Sequence, residues 1–136
     1  MVGFVLVSHG SMAEGMLEAI RMITGVTDQL EAVGLKEEDS PEELMDRIQE
    51  SVNRVNTGDG VILFADLFGA TPFNASARLA MMHGEGFEVI CGMNLPMMLE
   101  LVMQREGETF LSLIEIAIEN GKNGVLHFDK PPLINT

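Results

Sequence analysis

An α/β domain with a central, mainly parallel sheet and helices on both faces follows from three features of the 136-residue sequence. Short apolar runs rich in β-branched residues alternate with longer segments of helical periodicity. The runs are apolar at consecutive positions, as in strands buried on both faces. The clearest runs stop at polar, glycine-containing turns that open a helix, the order expected of right-handed strand–helix–strand units. The length suits one domain around a single core. A composition 46% hydrophobic and 21% charged is too apolar for disorder and too broken by charge for a membrane span.

The elements follow in order. Val2 to Ser8 is predicted as a strand ending at His9-Gly10. Ser11, with Glu14 three residues on, forms a capping-box pattern, and Ala13, Met16, Leu17, Ile20 and Ile23 continue at helical spacing until Gly25. Leu30 to Leu35 is a weaker apolar strand. After the acidic loop Lys36 to Asp39, Ser40 caps a second helix, with Pro41 at its first position, Glu43 completing the box, and Leu44, Ile48, Val52 and Val55 on one face. Gly58-Asp59-Gly60 turns the chain into a third strand, Val61 to Ala65, with Asp66 at its carboxyl end. Thr71-Pro72 is read as cap and first-turn proline of a helix reaching His83 before Gly84. Phe87 to Met93 is a fourth strand, and Asn94 to Pro96 starts a helix carrying Met97, Met98, Leu101 and Val102. Leu111 to Asn120 is a last helix ending at Gly121, and Gly124 to Phe128 a short fifth strand. Residues 1–128 thus make one domain, and residues 129–136, with Pro131-Pro132, are expected to be a tail or linker remnant.

Charge narrows the partners. Twenty-one acids against eight bases leave a net charge of -13, which opposes nucleic acid or an anionic membrane as the main partner. The charge is unevenly sorted. Residues 28–50 carry nine acids and two bases, while residues 1–27 and 60–84 together sum to -1. The single cysteine excludes an intrachain disulfide and a zinc site built from this chain's cysteines alone, and suggests a cytoplasmic setting. The apolar start Val2 to Val7 is too short for a spanning helix and lacks a basic flank.

In parallel sheets the ligand crevice lies beyond the carboxyl ends of the strands. Three such ends carry chemistry: Ser8-His9-Gly10-Ser11, Asp66 through Pro72, and Met93 through Pro96. They bring an imidazole, a carboxylate and the Ser11 and Thr71 hydroxyls to one rim, the hydroxyls at helix starts that favour an anion. Asp66 bonded to one ring nitrogen of His9 would leave the other with a lone pair, as nucleophile or metal ligand. Gly10, Ser11, Gly69, Ala70 and Thr71 are the candidate phosphate-binding residues. Each has an ordinary alternative role: a polar strand end for His9, a turn for Asp66, helix caps for Ser11 and Thr71. Their convergence on one rim favours function. His83, in the last turn of a helix, suits a dipole or solvent role. His127 lies in the short last strand, and Cys91, mid-strand, suits an inert thiol. No cysteine–histidine metal cluster, Walker loop or G-x-G-x-x-G is present, so neither a metal nor a nucleotide cofactor is expected.

Three blocks carry a resemblance: Phe4 through Gly10, Asp66-Leu67-Phe68-Gly69-Ala70-Thr71-Pro72-Phe73-Asn74, and Gly92 through Met97. Over nearly the whole chain the sequence resembles the mannose-family enzyme IIA of the bacterial phosphoenolpyruvate-dependent sugar phosphotransferase system. The second block is the specific one. The resemblance implies a phosphotransferase in which His9 accepts a phosphoryl group from the phosphocarrier HPr and passes it to enzyme IIB, which serves the membrane subunits IIC and IID. It implies that Asp66 pairs with His9, and that Ser11, Thr71 and nearby backbone N–H groups hold the phosphoryl oxygens. It also implies a homodimer in which the last strand, Gly124 to Phe128, joins the partner's sheet. Ala70 stands where many members have a second glycine. The chain ends without a IIB domain, so IIB is expected on a separate chain, or the sequence is an excised domain. Alternatives are a small tetrapyrrole metal chelatase, which also places His-Gly-Ser after a first strand, a phosphotransfer subunit of a dihydroxyacetone kinase, and a non-catalytic regulator on the same fold.

Overall fold

Side chains alternate across a strand, so a run apolar at every position needs cover on both faces. In the computed structural model, which describes residues 1–134, β1 (Gly3–His9) has that cover: only His9 at its end is exposed. Phe4 and Leu6 of β1 and Ile62 and Phe64 of β3 (Val61–Ala65) pack on one side with α1 (Met12–Thr24), α4 (Leu95–Gln104) and α5 (Phe110–Asn123). Val5 and Val7, with Val61 and Leu63, pack on the other with α2 (Pro41–Val55) and α3 (Thr71–His83). The result is three layers around a four-stranded sheet of order β2-β1-β3-β4, every pair parallel, with β2 spanning Leu30–Leu35 and β4 spanning Phe87–Cys91.

The strand order reverses between β1 and β3. The chain steps one way from β1 to β2, then back past β1 to β3 and β4, and the connecting helices change face at the reversal, as right-handed crossovers require. Two loops that leave their strands in opposite directions open a crevice at such a switch point. His9 ends β1 and Asp66 follows β3, so the topology alone puts them side by side.

Several local expectations are corrected. The Ser11–Glu14 capping box does not form: Ser11 occupies the N-cap position without a side-chain cap bond. The buried Ser8 takes over, its Oγ accepting from the Ala13 N–H at 2.8 Å. Thr71 is not the cap of α3 but its first residue; Ala70 precedes it. Ser40 caps α2 as expected, accepting from the Glu43 N–H at 3.1 Å. β4 stops at Cys91, before Gly92 at φ 75°. α5 runs through Gly121 to Asn123 because this glycine is a packing residue: a Cβ there would sit 2.7 Å from the Met97 methyl. No fifth strand forms among the described residues. Residues 124–134 are irregular, with Val125, Leu126 and Phe128 exposed. A strand exists only by pairing, and this segment has no ladder partner among the described residues.

One close approach holds the switch point. The Gly10 N–H donates to the Leu35 carbonyl at 2.8 Å, and a Cβ on Gly34 would lie 2.1 Å from the Gly10 carbonyl oxygen. The end of β2 thus packs against the loop after His9, backbone to backbone. Gly34→Ala is expected to lower the unfolding free energy by about 1–3 kcal/mol, the range of an overpacked interior, read by urea denaturation; an unchanged midpoint would show that the loop yields freely.

Candidate functional site

His9 stands at the last position of β1, where the strand leaves the core, with its side chain 51% exposed. Asp66, one residue beyond β3, is 10% exposed. One oxygen of that carboxylate, Oδ2, accepts twice from the same residue: from the His9 backbone N–H at 2.8 Å and from the ring Nδ1, also at 2.8 Å. Burial by itself raises the Asp66 pKa, but the two His9 hydrogen bonds and the ring's charge outweigh it, and the carboxyl is held below the ordinary carboxylate value. Asp66 is therefore an anion at neutral pH and can only accept, so Nδ1 carries the proton. In the neutral ring the lone pair is then on the other nitrogen, Nε2.

A groove of about 450 Å³ lies beside the ring, lined by His9, Gly10, Leu35, Lys36, Glu37, Asp39, Pro41 and Thr71. Of the phosphate-binding candidates, Gly10 and Thr71 line this groove. Gly10 has φ 54° and Gly69 φ 82°, left-handed conformations that suit glycine, and nothing crowds the Cβ position of either. Gly69, Ala70 and Thr71 bring the chain from Asp66 into the first turn of α3. Ser11, relieved of capping by Ser8, keeps its hydroxyl available at the exposed start of α1. Both helix starts face the rim where the strands end, so their opening N–H groups and positive dipole ends favour an anion there.

The third strand end lies beside β3, where the Met93 N–H donates to the Ala65 carbonyl at 3.2 Å. Asn94 is engaged in packing: its Oδ1 accepts from the Met97 N–H at 3.1 Å and its amide donates to the Gly121 carbonyl at 2.8 Å. His83, at the far end of α3, stacks on Phe87 with centroids 4.3 Å apart and meets the Gln49 side chain at 2.8 Å. His127 lies in the irregular tail. His83 stands away from the rim, at the opposite end of α3 from Thr71. Burial pushes the Cys91 thiol up, away from the thiolate that reactivity requires.

Two groove residues, Lys36 and Asp39, were not singled out as site candidates in the sequence, nor was Arg47, which pairs with Asp39 from outside the groove lining. The loop after β2 has no motif, and only the pairing of His9 with Leu35 brings it to the site. There the Lys36 backbone N–H donates to Asp39 at 2.8 Å. That bond, helped by the Arg47 guanidinium against burial, keeps the Asp39 carboxyl below its ordinary value. Arg47 pairs with Asp39 and donates to the Gly34 carbonyl at 2.8 Å.

Fold and site together define a doubly wound α/β domain that presents an aspartate-paired histidine at its switch point. Residues 3–118 match the family described as the PTS system fructose IIA component, EIIA-man, and the chain belongs to that family. It is 29% identical over 97% of its length to the PTS system mannose-specific EIIAB component of Escherichia coli K12, and covers 41% of that protein. With the PTS system sorbose-specific EIIA component of Lacticaseibacillus casei it shares 30% identity, over 81% of this chain and 78% of that one. The solved mannose/sorbose specific IIA subunit of the phosphotransferase system from Enterococcus faecalis superposes with a TM-score of 0.85 at 27% identity, covering 97% of this chain and 98% of the other.

Because Asp66 titrates lower when folded, its stabilisation is complete above the ordinary carboxylate pKa of 3.8 and is lost as the pH falls through the folded value. Asp66→Asn is therefore expected to be less stable than the parent in urea at pH 7, with the gap narrowing below about pH 4. A gap independent of pH would assign the loss to shape instead of charge.

Proposed function

We propose that this protein is a phosphoryl carrier of the sugar phosphotransferase system: His9 accepts a phosphoryl group from phospho-HPr and passes it to enzyme IIB. The observation that carries the reading is the Nδ1 to Asp66 bond of 2.8 Å, which leaves Nε2 as the nucleophile on the open side of the ring. In the transfer the Nε2 lone pair forms the new N–P bond as the donor's N–P bond breaks, that electron pair returning to the donor's ring nitrogen. The His9 ring, still protonated at Nδ1, then bears a positive charge that the Asp66 carboxylate offsets. The transition state is loose, with charge spread over the phosphoryl oxygens, so positioning and electrostatic support matter more than proton transfer. Thr71, Ser11 and the N–H groups left free at the starts of α1 and α3 supply that support. The mannose- and sorbose-specific names of the relatives agree with a role in sugar uptake. The sugar would be chosen elsewhere, because a histidine on an open rim meets proteins and phosphate. No helix of the described residues is long and apolar enough to cross a membrane, and work on the cytoplasmic side of the transporter, with IIC and IID reached only through IIB, follows from the same reading.

The protein also acts as a homodimer on this reading. The tail after α5 exposes Val125, Leu126, Phe128, Leu133 and Ile134, and β4, at the sheet's end, pairs on one side only. Adding the partner's tail to an open edge would pair its backbone and cover its apolar side chains.

Phosphoenolpyruvate, enzyme I and HPr together are expected to label the protein with acid-labile phosphate, and His9→Ala is expected to remove the label. Labelling of His9→Ala at the parent's level, or of the parent by ATP alone, overturns the carrier reading. For the dimer, sedimentation should give twice the chain mass for the parent and a single chain for a protein ending at Asn123. A parent that sediments as one chain at high micromolar concentration disposes of the exchange.

A further inference from the structure

We propose that Lys36 is a phosphate-binding residue of this site, its ammonium holding an oxygen of the phosphoryl group on His9. The proposal rests on the carrier reading and adds to it a group that neither the strand-end motifs nor the helix starts contain. Lys36 is the first residue past β2, and the parallel register that pairs His9 with Leu35 sets it beside the phosphoacceptor. The Gly10 N–H to Leu35 carbonyl bond and the Gly34–Gly10 contact make that neighbourhood rigid at the backbone. Among the described residues Lys36 is the one basic side chain lining the His9 groove.

Its ammonium, close enough to Asp39 to help hold that carboxyl low, is not locked in an ion pair among the described residues. The groove carries two carboxylates, Glu37 and Asp39. Asp39 is taken up by Arg47 and by the Lys36 backbone N–H, and the Lys36 ammonium enters no ion pair among the described residues. Arg47 is turned away, bound to Asp39 and the Gly34 carbonyl. Phosphorylation brings new negative charge into a groove lined by Glu37 and Asp39, next to the Asp66 that pairs with His9, in a chain of net charge -13. Like charges at such range disfavour the charged form of the newcomer. A flexible ammonium free of other partners is the group that can follow the phosphoryl oxygens as they arrive. The Arg47–Asp39 pair then has a consequence for the site: it occupies the carboxylate that would otherwise capture Lys36.

The test compares the parent with Lys36→Gln, Lys36→Arg and, as a charge-matched control, Arg21→Gln, an exposed residue at the far end of α1. Each is phosphorylated through phospho-HPr, and the phosphoryl group is titrated by phosphorus NMR. An ammonium beside it favours the dianion, so Lys36→Gln is expected to raise the phosphoryl pKa by about half a unit to one unit. The same variant should slow transfer from phospho-HPr by about threefold to tenfold. Lys36→Arg should restore both, and Arg21→Gln should change neither. Circular-dichroism melting checks that Lys36→Gln folds as the parent does. A parent that takes no label at His9 removes the carrier reading. A parent that labels normally, with a phosphoryl pKa and rate unchanged in Lys36→Gln, overturns the role of Lys36 and leaves the carrier reading intact. Equal shifts in Arg21→Gln would overturn it too, because net charge and not local contact would then be the cause.

Discussion

The double acceptance by one carboxylate oxygen of Asp66, from the backbone N–H and from the ring Nδ1 of His9, is the constraint on which the site depends. The backbone bond ties the end of β1 to the residue after β3, and the ring bond sets the tautomer and the direction of the other nitrogen. One charge thus does structural and chemical work at the same atom. Burial alone would push Asp66 toward its neutral form; the two donors from His9 hold it ionised, so carboxylate and imidazole depend on each other. The sheet supplies what this pair needs. The strand order reverses between β1 and β3, where the ends of adjacent strands can meet without a helix between them.

Around that pair the groove is a balance of charge. Helix starts at α1 and α3 supply partial positive charge, Lys36 a full one, and Glu37 and Asp39 oppose them. The acidic stretch of residues 28–50 reaches the groove through Glu37 and Asp39, and Asp39 is neutralised locally by Arg47. Ser8 and Ser11 divide their labour in a similar way. Burial of Ser8 at the foot of the first loop lets its hydroxyl accept from Ala13, and the serine that sequence pattern marks as the cap is left with its hydroxyl available.

The elements most legible in the sequence are those whose pattern is local. The continuous apolar runs Val2 to Ser8 and Val61 to Ala65 announce strands covered on both faces, and Ser40-Pro41 with Glu43 announces the start of α2. His9 and Asp66 were legible because each follows such a strand, where the chain must leave the core. Misread features are those decided by contacts between distant segments. Gly121 looks like a helix stop, yet it is the position where α5 touches Met97 of α4. Gly34 bears no local signal, yet it is where β2 admits the Gly10 carbonyl. Gly124 to Phe128 has the composition of a strand, but a strand also needs a ladder, and the described residues offer it none.

By itself, the sequence determined the alternation of strands and helices, the burial of the sheet on both faces, and the chemical types gathered at the strand ends, because periodicity and chain exits are properties of neighbouring residues. The tertiary structure alone decided which atoms meet: that one Asp66 oxygen takes both His9 donors, that Ser8 and not Ser11 caps α1, and that Lys36 enters the groove while Arg47 occupies Asp39. The physical reason is register. Pairing β1 between β2 and β3 brings residues 9, 36 and 66 to one rim, and no local pattern in the chain encodes that alignment.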